Sequence, residues 1–583
     1  MQNLLLCTMY LVRSRVSGGF GCLVPLYDIE FHHLLLVFVM TTLKRFLNSN
    51  WFILLLIAVF ALIGFSTVLY GEFLYDDLVL IVDNHYIRSF SNIPKFFVSN
   101  VSRGANVLNT NLYRPIVNIV HTVIYSMFEL KVTAYHLTNI GFHVLNSFLA
   151  FLLLRRLGFW KIPCALAALI FVIHPIQSET VAYMAGLPDV IVTTFMFSGL
   201  LVFLKGFEIE AGDGFKRRRM GLLGMSALLL VLAFLTKELA VIFAPLVLLF
   251  GLYKFREFDE SDKTFFKQCL AVFFAMTGVY LLLKFTVLDF TGGGLGLGGD
   301  NASLYIDNIG VRVITFFHML PEYFRLIFWP VHLFFEKPTV AYASFFWPGI
   351  IGLLGLIGGC CLAVVSYFKR RIFMFGFGMF FIGLAPVCGV LIPANFMYAD
   401  HWLYVPLVGV LVLYVASYGY LRSKRSRAVF VAVSLIIIAL LTVRIMDRNR
   451  DWADPVRFFE NEIEYYPSAR TYNNLGYEYF QVMKLRSAVE FFYKAIEVDD
   501  SFPHPHLHMG KFHYLGGNTE EALNSFYRAL EIDPNHVATL MSVKVVAEKL
   551  GRDDIANQIE ALYQRIQNGE YITFEDIPGR EGF

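Results

Sequence analysis

Charged residues are scarce in this chain. Asp, Glu, Lys and Arg together make up 16% of its 583 residues, whereas hydrophobic residues make up 57%. Soluble domains carry about 25% charged residues, so the deficit excludes an ordinary soluble protein and predicts a polytopic membrane protein. The formal net charge is only +2, and no basic excess indicates a nucleic-acid partner.

Cysteine is also sparse and follows no recognisable framework. The seven cysteines include no CxxC pair, and from Cys164 onward all of them lie in apolar stretches. The spacing therefore predicts no disulfide framework and gives no information about the redox compartment.

The first 39 residues resemble neither a signal peptide nor a membrane span, because short apolar runs alternate with Gly18-Gly19 and Pro25. Met40 is followed by basic residues and then by an apolar run from Trp51 to Tyr70. This pattern at Met40 is typical of a natural protein start, and we predict that residues 1–39 are either an over-extended reading frame or a disordered extension.

Apolar runs of roughly 17–25 residues are long enough to cross a bilayer. Such runs lie near residues 51–70, 134–154, 162–182, 189–206, 220–236, 238–254, 265–286, 346–367, 372–392, 402–420 and 428–445. The pattern predicts an all-α bundle of about eleven spans. The segment from Asn308 to Pro330 carries several charged residues and Pro321, and is predicted to be an interfacial or re-entrant helix.

Basic clusters separate alternate pairs of spans. They are Lys44-Arg45, Arg155-Arg156, Lys216 to Arg219, Lys254 with Arg256, Lys369 to Arg371, and Arg422 to Arg427. The positive-inside rule places all of them on the cytoplasmic side, which requires residues 287–345 to stay outside. The first loop (71–133) and the chain after about Arg444 are then predicted to be extracytoplasmic. A true span at 309–330 would instead put Lys369 to Arg371 outside.

Beyond the last span the sequence repeats with a period of 34 residues. The recurring pairs are Gly476 and Gly510, Ala488 and Ala522, Phe492 and Phe526, and Ala495 and Ala529. Small residues at this period predict tetratricopeptide repeats. A degenerate third unit with Ala556 in register brings the array to about three repeats, near the minimum for a stable stack. The array is either a groove that binds a peptide or partner, or a scaffold that caps the membrane domain.

Asp76 and Asp77 stand just past the first predicted span. Unpaired charges near hydrocarbon are costly, and a carboxylate at a membrane surface suits general-base or metal chemistry on a lipid-linked substrate. The structural alternative is a helix cap, or a salt bridge to Arg88 or Arg114.

Further polar groups lie at or near the predicted outer ends of spans. They are Arg114, His136 with Asn139 and His143, His174 with Glu179, Asp189, Lys237-Glu238, and Asp400-His401. One face of the predicted helix carries His136, Asn139 and His143. Such a set is typical of metal ligands or, more commonly, of side chains that hydrogen-bond to neighbouring helices. Arg114 and Lys237 are candidates for holding a phosphate, with ion pairing to nearby carboxylates such as Glu238 as the alternative.

In order along the chain, these motifs resemble the transmembrane-and-tetratricopeptide O-mannosyltransferase family, part of the C-type glycosyltransferase (GT-C) superfamily. The motifs are Asp76-Asp77, Tyr113-Arg114-Pro115, Tyr135-His136…Asn139…His143, His174-Pro175…Glu179, Lys237-Glu238, Tyr404-Val405-Pro406 and the repeats. The resemblance covers roughly residues 50–565. Two arginines of the family pattern are missing, at Leu187-Pro188-Asp189 and at Asp400-His401-Trp402, which leaves the donor contacts there and the sugar open. The short array resembles bacterial members more than long-array eukaryotic ones.

The resemblance implies a GT-C-like bundle and an inverting glycosyltransferase that uses a polyprenyl- or dolichyl-phosphate sugar, such as mannose. Asp76 or Asp77 would act as the catalytic base or hold a divalent cation (Mg²⁺ or Mn²⁺). The donor would be bound by residues among Arg114, His174, Glu179, Asp189, Lys237, Glu238 and His401, with Arg312 as a further phosphate contact and the loop at 287–308 as a lid. The acceptor, a protein hydroxyl, would dock on the repeats.

The predicted domains are the extension (1–39), the membrane domain (40–445), the repeats (446–567) and a C-terminal tail (568–583). Besides donor and acceptor, membrane lipids are the expected partners. The site would face the periplasm or exterior in a bacterium and the lumen of the endoplasmic reticulum in a eukaryote. The rival prediction is a non-catalytic membrane scaffold that recruits partners through its repeats.

Overall fold

The structure is a computed structural model. It describes residues 40–580 except 42–43, 46, 106–111, 210–213, 289–307, 338–339, 369–370, 391–396 and 568–569. The predicted extension 1–39 and nearly all of the predicted lid at 287–308 lie outside these residues. The chain divides into two compact units, one ending at Leu56 and one starting at Ile57; all the site residues discussed below lie in the second.

The described residues form helices and no β-strand, which confirms the predicted all-α fold. The described α-helices of six or more residues in the apolar part are α1 (Asn50–Gly64), α2 (Pro115–Phe128), α3 (Val132–Arg156), α4 (Lys161–Ile173), α5 (Gln177–Ala182), α6 (Leu187–Lys205), α7 (Phe215–Phe234), α8 (Phe243–Lys254), α9 (Glu260–Thr286), α10 (Ile309–Phe328), α11 (Trp347–Phe368), α12 (Ile372–Leu384), α13 (Pro406–Tyr418) and α14 (Lys424–Ala453).

Five stretches of helix in the described part are long and apolar enough to cross a membrane. They are Val132–Arg156, Met184–Glu208, Glu260–Thr286, Trp347–Phe368 and Lys424–Ala453. Most of the other predicted spans are shorter apolar helices, such as α1, α4, α12 and α13. The segment predicted to be interfacial is the 20-residue helix α10, which contains Pro321.

The centre of the apolar part is formed by α4, α5 and α6, which are buried along nearly their whole length. α6 packs against α3 and α7, and α4 packs against α14. α5 is a six-residue helix between two breaks at His174–Ile176 and Tyr183–Gly186. These breaks matter because they hold polar side chains and backbone donors at one end of the central helices.

Seven α-helices follow α14 in the part of the chain that the structure describes. They are α15 (Pro455–Tyr465), α16 (Ala469–Gln481), α17 (Leu485–Val498), α18 (Pro503–Leu515), α19 (Thr519–Ile532), α20 (Val537–Lys549) and α21 (Asp553–Gln567). The members of each pair α16–α17, α18–α19 and α20–α21 pack against one another, as expected for three repeats. A Cβ at Gly510 would stand 2.4 Å from the Phe526 ring, which is why this repeated position needs glycine.

The predicted C-terminal tail covers the third repeat. Ile572 and Ile577 are buried in the same apolar cluster as Leu540 and Ile559. Asn535 and Ile572 exchange two hydrogen bonds of 3.0 Å through the Asn535 side chain. The tail therefore shields an apolar face of the last repeat from water.

Candidate functional site

The carboxylate of Asp77 is buried and fully engaged by backbone donors. Its side chain is 1% exposed, and its two oxygens accept hydrogen bonds from the N–H of Leu74 at 3.1 Å and of Ala185 at 2.7 Å. Burial raises the pKa of Asp77, and these backbone donors lower it. Asp77 therefore ties the first polar loop to the break that precedes α6.

Asp76 differs from its neighbour because its side chain is exposed at the rim of the same region. Its backbone N–H donates to the Tyr183 hydroxyl oxygen at 2.9 Å. The protein atoms packed around the carboxylate raise the pKa of Asp76, whereas Tyr183 and the charge of Arg114 lower it. Of the two carboxylates, Asp76 is the one that a substrate can reach.

Arg114 precedes α2 and shares Glu238 with a second cation. The Arg114 guanidinium lies 3.7 Å from Glu238, and Lys284 lies 3.4 Å from the other oxygen of that carboxylate. Both cations act electrostatically on the Glu238 carboxylate. The buried Nε of Arg114 has no hydrogen-bond partner, so this guanidinium retains donor capacity.

Lys237 and Asp189 form a tight pair at the start of α6. The ammonium nitrogen lies 2.7 Å from each oxygen of Asp189. Asp189 is also within electrostatic range of His401 and Arg114. Three cations (Arg114, Lys237, Lys284) are thus paired with two carboxylates, and the charge of Arg114 also acts on Asp76.

Glu179 binds His401 through two contacts. The His401 Nδ1 lies 2.5 Å from one oxygen, and its backbone N–H donates to the other at 3.1 Å. Lys337 also lies within electrostatic range of Glu179. Lys337 and Asp400 form a further ion pair at 2.9 Å, both almost fully buried. This chain of charges fixes the segment before α13 against α5.

His174 lies at the end of α4 with both ring nitrogens engaged. Nε2 donates to the carbonyl of Ile327 at 2.9 Å, and Nδ1 accepts from the N–H of Ile176 at 3.4 Å. These contacts connect the break before α5 to the end of α10. They leave His174 no ring nitrogen available for a phosphate in this conformation.

The polar face of α3 binds neighbouring helices. The Asn139 amide donates to the carbonyls of Tyr183 and Met184 at 3.0 and 3.4 Å. His143 donates to the carbonyl of Val172 at 3.0 Å and accepts from the Tyr404 hydroxyl at 2.7 Å. These contacts favour the interhelical alternative over metal binding.

The donor set around Asp76 does not fit a divalent cation held by the protein. Among the residues that the structure describes, no three His, Cys, Asp or Glu side chains are grouped for metal binding. Both oxygens of Asp77 already accept backbone hydrogen bonds, whereas Mg²⁺ and Mn²⁺ favour several oxygen ligands. The residues around Asp76 therefore do not form a site for Mg²⁺ or Mn²⁺.

The first repeat helix approaches the site directly. The Asn474 amide on α16 donates to the Tyr75 hydroxyl at 3.3 Å, and Tyr75 precedes Asp76 with a left-handed φ of 49°. Arg470 on the same helix lies 3.7 Å from Glu336. The repeats are thus part of the surroundings of Asp76.

Three contributors were missed at the sequence level: Tyr183, Lys284 and Lys337. The sequence did mark Lys284 and Lys337 as unusual, because each is a lone cation in an otherwise apolar stretch. Tyr183 carried none, since a tyrosine among apolar residues is ordinary. Their roles depend on contacts between distant segments.

The tetratricopeptide repeat model matches residues 469–502 and 504–536, which confirms the predicted repeats. A protein O-mannosyl-transferase of Caenorhabditis elegans is 22% identical over 77% of this chain and 63% of its own length. Protein O-mannosyl-transferase TMTC4 of Homo sapiens is 25% identical over 71% of this chain and 62% of its own length. Protein O-mannosyl-transferase TMTC3 of Mus musculus is 21% identical over 88% of this chain and 59% of its own length.

Two solved structures also align. ArnT from Cupriavidus metallidurans bound to undecaprenyl phosphate has a TM-score of 0.38 and 15% identity, over 85% of this chain and 81% of that chain. The oligosaccharyltransferase of Archaeoglobus fulgidus has a TM-score of 0.42 and 15% identity, over 74% of this chain and 60% of that chain. These scores are too low to carry an argument.

The chain covers less than two thirds of the length of each curated relative named above. These relatives are animal proteins and do not test the expected bacterial origin. Over most of its length the chain is similar to these protein O-mannosyl-transferases, and tetratricopeptide repeats follow its apolar part.

Proposed function

We propose that this protein is a multi-pass membrane glycosyltransferase that moves a monosaccharide, mannose or a similar sugar, from a polyprenyl-phosphate donor to a hydroxyl group of a protein. The observation that carries the proposal is the exposed carboxylate of Asp76 within electrostatic range of Arg114, whose guanidinium shares Glu238 with Lys284. A base next to an anion-binding group is what sugar transfer from a phosphate donor requires.

In the proposed step, a hydroxyl oxygen of the acceptor attacks the anomeric carbon of the sugar. The new C–O bond forms as the bond from that carbon to the phosphate oxygen breaks, with inversion of configuration. The Asp76 carboxylate accepts the hydroxyl proton, and the bonding electron pair leaves with the phosphate. Asp76 fits this role because its side chain is accessible, whereas Asp77 acts as a positioning residue.

Arg114, Lys237 and Lys284 would stabilise the negative charge that develops on the leaving phosphate. A guanidinium binds phosphate oxygens through two parallel hydrogen bonds, and Arg114 keeps an unpaired Nε for this purpose. Preorganised charges of this kind supply a large share of enzymatic rate enhancement. Glu238 and Asp189 hold the cations in place before the donor arrives, and Glu179 with His401 supports the adjacent wall.

The proposed site faces the extracytoplasmic side. The basic clusters between alternate helices support this orientation through the positive-inside rule. The contact between Asn474 and Tyr75 supports a shared side for Asp76 and the repeats. Such an arrangement lets an acceptor held by the repeats reach Asp76 without crossing the bilayer.

The test uses the purified full chain, radiolabelled polyprenyl-phosphate mannose or glucose, and a membrane extract as the source of acceptors. Asp76→Asn should abolish incorporation while leaving the unfolding temperature close to that of the wild type. Asp83→Asn is the matched control, because Asp83 is another exposed carboxylate of the same loop. Equal incorporation by the wild type and Asp76→Asn would remove Asp76 from catalysis.

The rival function is a non-catalytic scaffold. It predicts no incorporation from any donor, together with pull-down of a protein partner that depends on the repeats. A wild-type protein that is folded, binds partners and transfers no sugar from either donor would favour the scaffold over the transferase.

A further inference from the structure

Residues 330–337 follow α10 as a segment without helix or strand, and side chains of α14 and α15 satisfy its backbone. The Arg444 guanidinium donates to the carbonyl of Pro330 at 3.1 Å. The Asn461 amide donates to the carbonyl of Leu333 at 3.2 Å. Backbone groups outside regular secondary structure need such partners wherever they are buried. The 330–337 segment is therefore held by the two helices that precede the repeats.

Glu462 on α15 makes the most extensive of these attachments. Its side chain is fully buried, and its carboxylate accepts the N–H groups of Phe335 and Glu336, each at 2.8 Å. The buried guanidinium of Arg448 lies 3.6 Å from the same carboxylate. Hydrogen bonds to an ionised carboxylate are stronger than those between neutral groups. Glu462 therefore fixes the backbone from which the Phe335 ring projects.

The ring of Phe335 contacts both tyrosines that adjoin Asp76. Its centroid lies 5.1 Å from that of Tyr75 and 5.6 Å from that of Tyr183. Tyr75 directly precedes Asp76, and the Tyr183 hydroxyl accepts the Asp76 N–H at 2.9 Å. Trp452 also contacts Phe335 and Tyr183, with centroid distances of 5.8 and 5.4 Å. Phe335 thus connects α15 to the two side chains next to Asp76.

The backbone of Tyr75 is in a conformation that its surroundings must impose. Its φ of 49° lies in the left-handed region, which is uncommon for residues other than glycine and persists where packing determines it. Besides Phe335, the rings of Phe458 and Phe459 on α15 lie 5.9 and 5.2 Å from the Tyr75 ring. The side chain of Tyr75 is therefore held by α15 and by the segment that Glu462 fixes.

We propose that Glu462 and Phe335 are positioning residues for Asp76. Glu462 fixes the 330–337 segment, and the ring of Phe335 then holds Tyr75 and Tyr183 in the arrangement that orients the Asp76 carboxylate. The inference rests on the proposed transferase function, in which Asp76 is the base. Because neither residue touches the substrate, their loss acts on the chemical step and not on donor binding. The orientation of the base thus depends on the helix that leads into the repeats.

The first measurement is hydrogen exchange of the purified full chain in detergent, without any sugar donor, read by mass spectrometry of the peptide that contains residues 74–78. Phe335→Leu removes the ring and should speed exchange in this peptide about threefold or more, because local opening becomes easier. Phe491→Leu is the matched control, since Phe491 is another half-buried ring, stacked on Tyr479 with centroids 5.6 Å apart on the repeats. It should leave exchange of residues 74–78 unchanged.

The second measurement is the kinetics of transfer from the polyprenyl-phosphate sugar that the wild type uses. Phe335→Leu and Glu462→Leu should lower kcat about tenfold with KM for the donor unchanged. Glu462→Gln keeps a carbonyl oxygen that can accept the two N–H groups, so it should recover most of the lost kcat. If Glu462→Leu fails to fold, Phe335→Leu still decides the question, because that side chain is only half-buried.

Equal exchange of residues 74–78 in Phe335→Leu and Phe491→Leu would overturn the inference. Faster exchange spread evenly over the chain would overturn it as well, because it would show general destabilisation. A rise in KM at constant kcat would place Phe335 in donor binding instead. Faster local exchange in Phe335→Leu together with no transfer by the wild type would contradict only the transferase. Transfer by the wild type with unaltered kcat in Phe335→Leu and Glu462→Leu would contradict only this inference.

Discussion

The Asp77 carboxylate accepts a hydrogen bond from the Ala185 N–H at 2.7 Å, across 108 residues of sequence. Together with the N–H of Leu74 at 3.1 Å, this contact fixes the loop that carries Asp76. The buried Asp77 carboxylate thus holds the exposed Asp76 carboxylate in position.

Replacing Asp77 should destabilise the protein rather than remove a chemical group. In Asp77→Asn one of the two backbone donors faces the new NH₂ group, and an unsatisfied buried donor costs about 1–3 kcal/mol. We expect a clear fall in the unfolding temperature, measured by intrinsic fluorescence in detergent, and reduced transfer. Asp76→Asn should show the reverse, with lost transfer and little thermal shift. Equal thermal shifts for the two variants would contradict this division of roles.

The repeats could be predicted from sequence, because a period of 34 requires only local comparison, and Gly476 and Gly510 mark it directly. The roles of Asp76 and Asp77 could not be separated, since adjacent residues share every sequence signal. They differ only because Ala185 and Tyr183 meet them from a distant segment. Pairing of Arg114 with Glu238 was one of two alternatives that the sequence left open, and the pairing of Lys237 with Asp189 depends on how the segment between α7 and α8 packs against α6.

Lys237 and Asp189 should depend on each other for the stability of the protein, whereas only Lys237 should be needed for sugar transfer. Lys237→Met leaves the Asp189 carboxylate buried without its partner, which costs about 3–5 kcal/mol. Adding Asp189→Asn should restore most of the thermal stability, because a buried pair can often be replaced by neutral groups at little cost. Transfer should stay low in the double variant, since the cation is still missing. A stable and fully active double variant would exclude Lys237 from donor binding.

Glu336 should make stability depend on pH near neutrality. Burial raises its pKa to about 7, with Glu462 adding to the effect and Arg470 opposing it. Because the folded-state pKa is raised, the contribution of Glu336 is fully present below its unfolded pKa and is lost as pH rises through about 7. Between pH 5 and 8 the loss should be on the order of 2–3 kcal/mol.

Thermal unfolding of the wild type and Glu336→Gln from pH 5 to 8 tests this expectation. The variant should lack the part of the pH dependence that belongs to this carboxyl. Glu464→Gln, an exposed glutamate of α15, should follow the wild-type curve. Parallel curves for the wild type and Glu336→Gln would show that burial of this group does not control the transition.

The close approach of α18 and α19 should make Gly510 intolerant of alanine. The added Cβ would meet the Phe526 ring at 2.4 Å, and overpacking of this kind costs about 1–3 kcal/mol. Gly516→Ala is the matched control, because the nearest atom to its Cβ is the His513 carbonyl oxygen at 3.4 Å. Circular dichroism melts should separate the two variants, and similar melts would mean that the interface between the helices is loosely packed.

Tyr183 should act on catalysis by positioning Asp76. Its hydroxyl oxygen accepts the Asp76 N–H at 2.9 Å, while its ring stacks on Trp452 with centroids 5.4 Å apart. Tyr183→Phe keeps the ring and removes only the acceptor, so the stability change should be about 0.5–1.5 kcal/mol. A loop that holds Asp76 less firmly should lower kcat on the order of tenfold and leave KM for the lipid donor unchanged.

The control for Tyr183→Phe is Tyr479→Phe, which also removes one hydroxyl contact, at 2.6 Å to Glu460, but does so on the repeats. It should leave kcat unaltered. A rise in KM with constant kcat in Tyr183→Phe would place Tyr183 in donor binding instead, because a residue that only orients the base acts on the chemical step. The split between kcat and KM therefore distinguishes positioning of Asp76 from a direct contact with the substrate.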